Sequence, residues 1–341
     1  MIKKECFTAE WIEQVSSELH YNDKNLIEKV IRALSLLEML VKAGCPLVFK
    51  GGTALMLILG KSAHRLSIDI DVICPPGTNI EDYLKSFADF GFINLELVER
   101  KQRDDADIPK SHSKFFYQIA YRNDTDAQSY ILLDVLYEDI HYFRTQQIAI
   151  DCPFIRLEGK PLMVTVPSAE DILGDKLTAF APNTTGIPYY KNGRSCSMEI
   201  AKQLYDVGRL FENVSDLQIT KEAFRKIAVV ELSYRSFGTD IGQVFNDIRQ
   251  TALCISTRGK AGEGDFDLIQ DGIIRVKSFM YKQRYLIDHA IIDAARAAYL
   301  ATLIEKGINE IESYSNNPAD IKDMVLSLIH ISEPTRHSLI S

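Results

Sequence analysis

Between Arg65 and Ile73 the chain reads Arg-Leu-Ser-Ile-Asp-Ile-Asp-Val-Ile, an alternation of apolar and polar side chains. Leu66, Ile68, Ile70 and Val72 fall on one face of an extended segment, and Ser67, Asp69 and Asp71 on the other, which is the pattern of a half-buried strand. Asp69 and Asp71 then leave the same face about 7 Å apart along the chain. Carboxylates that close repel each other and share a proton unless a cation lies between them. A hard divalent cation, above all Mg²⁺, suits such an oxygen pair. A solvated strand face is the plainer reading of an isolated Asp-x-Asp, and the flanking sequence bears on the choice.

Upstream, Pro46–Phe49 reads as a short buried strand that runs into Lys50-Gly51-Gly52-Thr53, and Thr53–Gly60 reads as a helix begun at that glycine turn. Glycines let a backbone approach a ligand closely, and helix N-terminal N–H groups favour phosphate oxygens. An ordinary tight turn uses the same residues. Downstream, Asp134 interrupts the apolar run Tyr130–Leu136, where an unpaired carboxylate would be costly. It is either a buried Asp bonded to backbone or a third metal ligand on a neighbouring strand; the presence of Asp69 and Asp71 favours the second.

Further out, Asp23 opens an amphipathic helix that Gly44 ends, a helix is expected near Ile80–Phe90, and strand signals dominate from Leu95 to Ile150. After Pro167 the period becomes helical and stays so. Ser168-Ala-Glu-Asp171 resembles a capping box, and further helices read at about 197–213, 220–235, 238–256 and 266–312. The expected class is α+β: residues 1–165 carry a mixed sheet behind N-terminal helices, and residues 166–325 are all helical. With no repeat and no Pro/Gly/Ser-rich linker, the two halves are expected to pack together.

Composition narrows the function. The 341 residues are 46% hydrophobic and 25% charged, the mix of an ordinary globular protein rather than a disordered or fibrous one. With 39 Lys+Arg against 47 Asp+Glu, the net charge of -8 argues against coating nucleic acid over the whole surface. No apolar run approaches the roughly 20 residues that span a bilayer, and Met1-Ile-Lys-Lys-Glu5 breaks into charge before a signal core forms. Six scattered cysteines without a Cys-x-x-Cys pair read as reduced thiols of a cytoplasmic enzyme. Leu326–Arg336 looks like a translated transposon-end sequencing adapter, so residues 326–341 are expected to be foreign to the fold.

Gly-Gly-Thr, then Asp-x-Asp on the next strand, then a later lone strand Asp resembles the nucleotidyltransferase superfamily that includes DNA polymerase β. Within it, Lys50-Gly-Gly-Thr-Ala-Leu55, Arg65-x-Ser67-x-Asp69-x-Asp71 and Lys176-Leu-Thr-Ala179 resemble the AbiEii/AbiGii toxins of type IV toxin–antitoxin and phage abortive-infection systems. The resemblance covers about residues 30–215, and its four motifs occur in the family's order. Two departures stand out: Thr53 takes the place of the superfamily's usual Ser, and sixteen residues separate Gly52 from Asp69, a long gap for the superfamily but similar to this family's.

The resemblance implies a polymerase-β-like domain joined to a helical domain that closes a nucleotide cleft. The implied reaction transfers NMP from an NTP to an acceptor hydroxyl with two Mg²⁺ ions. Asp69, Asp71 and Asp134 would hold the metals, with Asp134 also helping to activate the acceptor. Lys50, Gly51, Gly52, Thr53, Arg65 and Ser67 would form the nucleotide site, Ser67 supporting the metal-binding strand. Arg65 and Lys176 would neutralise the leaving pyrophosphate. Lys176 sits at the edge of an apolar stripe, where a snorkelling lysine is the alternative. Lys202-Gln-Leu-Tyr-Asp206 resembles the family's last motif, in which the Asp is required. From the residues alone, Glu199, Lys202, Gln203, Asp206 and Arg209 read as a solvated helix face. The expected acceptor is an RNA, by family likeness a tRNA 3′ end, with an antitoxin encoded nearby. A basic set, Lys101, Arg103, Lys110 and Lys114, is a candidate RNA rim, although Asp104, Asp105 and Asp107 interrupt it and a solvated hairpin is the alternative. The same chemistry on a protein or a small molecule such as an antibiotic, and a non-catalytic nucleotide-binding partner, are the competing functions.

Overall fold

Asp23 caps the first long helix by accepting from Leu26 N–H at 3.1 Å, and the apolar stripe that follows is what the sheet is built on. The computed structural model describes residues 1–98, 109–122, 127–235, 238 and 240–311. Lys101 and Arg103 of the basic set, and the adapter-like segment from Leu326, lie outside the described residues. Met1–Ile308 forms one compact unit.

In chain order come α1 (Ala9–Glu18), α2 (Lys24–Lys42), β1 (Val48–Lys50), α3 (Gly51–Leu59), β2 (Ile70–Cys74), β3 (Asn94–Val98), β4 (Lys110–Gln118), β5 (Gln128–Tyr137), β6 (Thr145–Ala149) and β7 (Met163–Pro167). The main sheet has the order β1-β2-β5-β4-β3. Only β2 and β5 pair in parallel; β1 with β2, β5 with β4, and β4 with β3 are antiparallel. Ser113, Phe115 and Tyr117 of β4 and Ile131, Leu133 and Val135 of β5 are buried on the face that α2 covers. The register places His112 opposite Asp134 and Lys110 opposite Leu136. The alternate residues Lys110, His112, Lys114, Leu132, Asp134 and Leu136 therefore share the more open face. β6 and β7 form a separate antiparallel pair.

Next come α4 (Ala169–Ala179), the hairpin strands β8 (Tyr190–Lys191) and β9 (Arg194–Ser195), then α5 (Ser197–Phe211), α6 (Leu217–Tyr234), α7 (Ile241–Ser256), α8 (Phe266–Val276) and α9 (Ile287–Lys306). This is the mixed-sheet α+β fold with a helical C-terminal region that the sequence leads one to expect, with four local corrections. The 80–90 stretch is two 3₁₀ turns, Ile80–Tyr83 and Phe87–Phe90; its apolar Leu84, Phe87 and Phe90 are spaced by three, the 3₁₀ period. The strand expected from Leu66 starts only at Ile70, because the Asp69 carbonyl accepts from Thr53 Oγ1 at 2.7 Å and Leu66 N–H donates to Phe279 O at 2.8 Å. The single helix expected over 266–312 breaks into α8 and α9, since the intervening chain turns to bond His64 and Leu66. The β8–β9 hairpin adds a strand pair to a half expected to be all helical.

Candidate functional site

The open face of the sheet meets α3 at its first turn. Gly51 has φ +80, a conformation that favours glycine, and a Cβ there would lie 2.1 Å from Asp71 Oδ2. A Cβ on Gly52 would lie 2.6 Å from Ser67 Oγ and 2.9 Å from Arg65 Nη2. The glycine pair thus lays the start of α3 directly against Asp71, Ser67 and Arg65. Gly51→Ala combines left-handed strain with this clash and is expected to destabilise the fold by about 1–3 kcal/mol, readable as a lowered urea midpoint. Thr53 is fully buried. With its hydroxyl donating to the Asp69 carbonyl, it fixes the entry into β2.

The carboxylates sit side by side. Asp71 pairs across the ladder with Lys50 on one side and with Asp134 on the other, and Asp69 stands one residue before β2 on the exposed edge. Burial, then the charges of Asp134 and Asp69, push the Asp71 carboxyl up to about 7. Asp69 is also raised, first by lost hydration among its protein neighbours, with Asp134 adding to it and Lys202 opposing. His112 Nδ1 lies 2.5 Å from Asp134 Oδ1 and orients that side chain. Among the described residues, no three carboxylate, imidazole or thiol groups already stand close enough to enclose an ion by themselves.

Lys50 lies beside this set. Its Nζ is 3.5 Å from Asp175 Oδ2, and the Tyr142 hydroxyl donates to the same oxygen at 2.8 Å. Burial pulls the Lys50 ammonium down, but Asp175, Tyr142 and Asp71 outweigh it and hold it well above the usual range.

Arg65 and Lys176 converge on Asp206. Arg65 Nε and Nη2 donate to Asp206 Oδ1 at 3.0 and 2.9 Å, and Nη2 reaches Oδ2 at 2.8 Å; Lys176 Nζ is 3.0 Å from Oδ2. Relative exposures of 7%, 7% and 1% for Arg65, Lys176 and Asp206 make this a buried ion triad. Burial alone would raise the Asp206 carboxyl, yet the two cations hold it below the usual carboxylate range. The solvated-face reading of α5 is thereby corrected: Asp206 points inward because its partners come from other elements. Lys176 is likewise paired rather than snorkelling.

Two residues that were not among the expected site residues belong here. His112 gives no local signal, since only the β4–β5 register brings it to Asp134. Lys202 lies one helical turn before Asp206, a spacing that could have marked it. Its Nζ is 3.8 Å from the Phe279 ring centroid, and burial with the nearby Arg65 pushes it down to about 8 against the pull of Glu199, Asp69 and Asp206.

A glycine turn at a helix start, set against strand carboxylates in a mixed sheet, is the layout of a nucleotidyltransferase, and that is the class of this α+β protein. A family pattern described as "Nucleotidyl transferase AbiEii toxin, Type IV TA system" matches residues 34–301. The chain belongs to that family of nucleotidyltransferase toxins. It is similar in structure to JHP933 from Helicobacter pylori, with 15% identity, a TM-score of 0.41, and coverage of 98% of this chain and 100% of that one. It is also similar to MenT4, a nucleotidyltransferase toxin from Mycobacterium tuberculosis, with 13% identity, a TM-score of 0.45, and coverage of 93% of this chain and 98% of that one. No curated protein matches it in sequence. Among the described residues, no helix is long and apolar enough to cross a membrane.

Proposed function

We propose that this chain transfers a nucleoside monophosphate from an NTP to the 3′ end of an RNA, with tRNA the expected acceptor, and that a cognate antitoxin restrains it in the cytoplasm. The observation that carries the reading is the grouping of Asp69, Asp71 and Asp134 beside the first turn of α3. An open set of hard oxygen donors fits Mg²⁺, which keeps waters and takes substrate phosphates as further ligands instead of filling a closed protein cage. Asp69, Asp71 and Asp134 would hold the two ions. Bound there, Mg²⁺ supplies charge neutralisation and alignment of the triphosphate.

The remaining work falls to the chain itself. The N–H groups at Gly51 and Gly52 face incoming phosphate oxygens at the positive end of α3. Arg65 and Lys176 bring positive charge to the leaving pyrophosphate, and Asp206 fixes where both cations stand. Lys50 adds a third cation beside Asp71, and Ser67 supports the strand entry. Asp134, oriented by His112, takes the proton of the acceptor hydroxyl. In this scheme residues 1–165 are the catalytic half, and the helices after Pro167 close the cleft through Lys176 and Asp206.

The test is incubation of the purified protein with each labelled NTP, Mg²⁺ and either total tRNA or whole-cell protein. The expected result is label in RNA, lost on addition of EDTA and restored by excess Mg²⁺. Label in a protein band would move the acceptor to protein, and labelling that persists in EDTA would remove the metal from the scheme.

A further inference from the structure

The acceptor has to reach the carboxylates from solvent, and one element at that margin has no part in the scheme above. Among the described residues β8 and β9 pair only with each other, Tyr190 with Ser195 and Lys191 with Arg194. Their turn is Asn192-Gly193, with φ of 52 and 74; two successive positive φ values match the twist of a tight hairpin. Tyr190 is 57% exposed, and Lys191 and Arg194 are exposed beside it. The hairpin's root is firm. Cys196 N–H donates to Tyr189 O at 2.9 Å, and Arg235 Nη1 donates to Thr184 O and Gly186 O at 2.7 and 2.6 Å in the approach to it. The hairpin also joins α4, which carries Lys176, to α5, which carries Asp206. The end of α6 ties the hairpin's approach to the sheet: Tyr234, next to Arg235, donates its hydroxyl to Glu138 Oε2 at 3.1 Å, one residue past the end of β5, the strand that carries Asp134.

An exposed ring flanked by two exposed cations, with no acid in the hairpin, offers stacking to a base and charge to phosphates. A protein partner needs about 800 Å² of matching surface on each side, far more than so short a hairpin presents. A few single-stranded nucleotides need no more than this. We propose that the Tyr190–Ser195 hairpin guides the single-stranded 3′ end of the acceptor RNA, with Tyr190 stacking on a base and Lys191 and Arg194 meeting phosphates. The inference rests on the RNA-acceptor reading above. It also moves the RNA contact away from Lys114, which is paired with Glu96 at 3.4 Å.

The experiment compares the parent with Tyr190→Ala, Tyr190→Phe and the double variant Lys191→Glu/Arg194→Glu, using purified total tRNA and the labelled NTP that the parent prefers. KM for tRNA is expected to rise about 10–100-fold in Tyr190→Ala and in the double variant. Tyr190→Phe should stay at the parent value, and KM for NTP and the melting temperature should not move. Removing both cations should also flatten the slope of log affinity against log salt by about 1.4. If the parent labels tRNA and all variants label it with the parent's KM, the hairpin inference is wrong while the acceptor reading stands. If the parent labels no RNA, both fall. A rise in KM for NTP equal to that for tRNA would place the hairpin at the nucleotide and overturn the inference. So would an unchanged tRNA KM accompanied by loss of antitoxin binding.

Discussion

Asp71→Asn, and separately Asp69→Asn, are expected to cut nucleotidyl transfer by about 10²–10³-fold, corresponding to roughly 3–4 kcal/mol of lost transition-state stabilisation. Each change keeps the side-chain shape and removes a metal-ligating charge. The fold should not suffer. In the metal-free protein Asp71 stands against Asp69 and Asp134, so a neutral amide relieves repulsion, and the melting temperature in EDTA should be unchanged or higher. Turnover with labelled NTP and a melt on the same preparation measure both halves of the expectation. Near-parental turnover in either variant would remove that carboxylate from the metal site. Growth arrest on expression, if it comes from the transfer reaction, should vanish with it.

The second large effect has the opposite character. Asp206→Ala leaves the Arg65 guanidinium and the Lys176 ammonium buried without their shared counter-charge. Breaking a buried ion pair from one side costs about 3–5 kcal/mol, a large fraction of the stability of an ordinary domain. The variant is expected to unfold at a much lower urea concentration or to accumulate as insoluble protein. Asp206→Asn, which still accepts hydrogen bonds but carries no charge, should fall between the two. A urea midpoint for Asp206→Ala within experimental scatter of the parent would mean that the triad does not hold the structure together. Activity alone could not separate this structural role from a catalytic one; the comparison of folding midpoints with Asp71→Asn does.

These two predictions also mark where the sequence is legible and where it is not. Asp69, Asp71 and Asp134 can be read because strand periodicity is local: alternation puts two carboxylates on one face, and an acid inside an apolar run needs a reason. The glycine turn before α3 is legible on the same grounds, as are the mixed sheet and the helical second half. Asp206 is different. On its own helix it looks like one more polar residue in a charged stripe, and its partner Arg65 is 141 residues away in sequence. Helical periodicity says which residues share a face but not what that face meets. Thr53 shows a related limit: a hydroxyl beside a glycine turn can serve a ligand or a backbone carbonyl, and only the fold shows that the Asp69 carbonyl is within reach. The hairpin did carry a signal in Asn192-Gly193, submerged in the helical pattern on both sides.

The β2–β5 parallel pair and the Arg65–Asp206 contact have a consequence during synthesis. Antiparallel neighbours joined by short turns can form as they are made, whereas Asp71 must wait for Asp134, and Arg65 for Asp206. Contacts of such long range are slow to close and come late in folding. A nascent chain on the ribosome therefore holds Asp71 and Asp134 apart until β5 has emerged, and Arg65 and Lys176 without their shared counter-charge until Asp206 follows. The shortest product of interrupted translation able to assemble this site must therefore extend past the middle of α5.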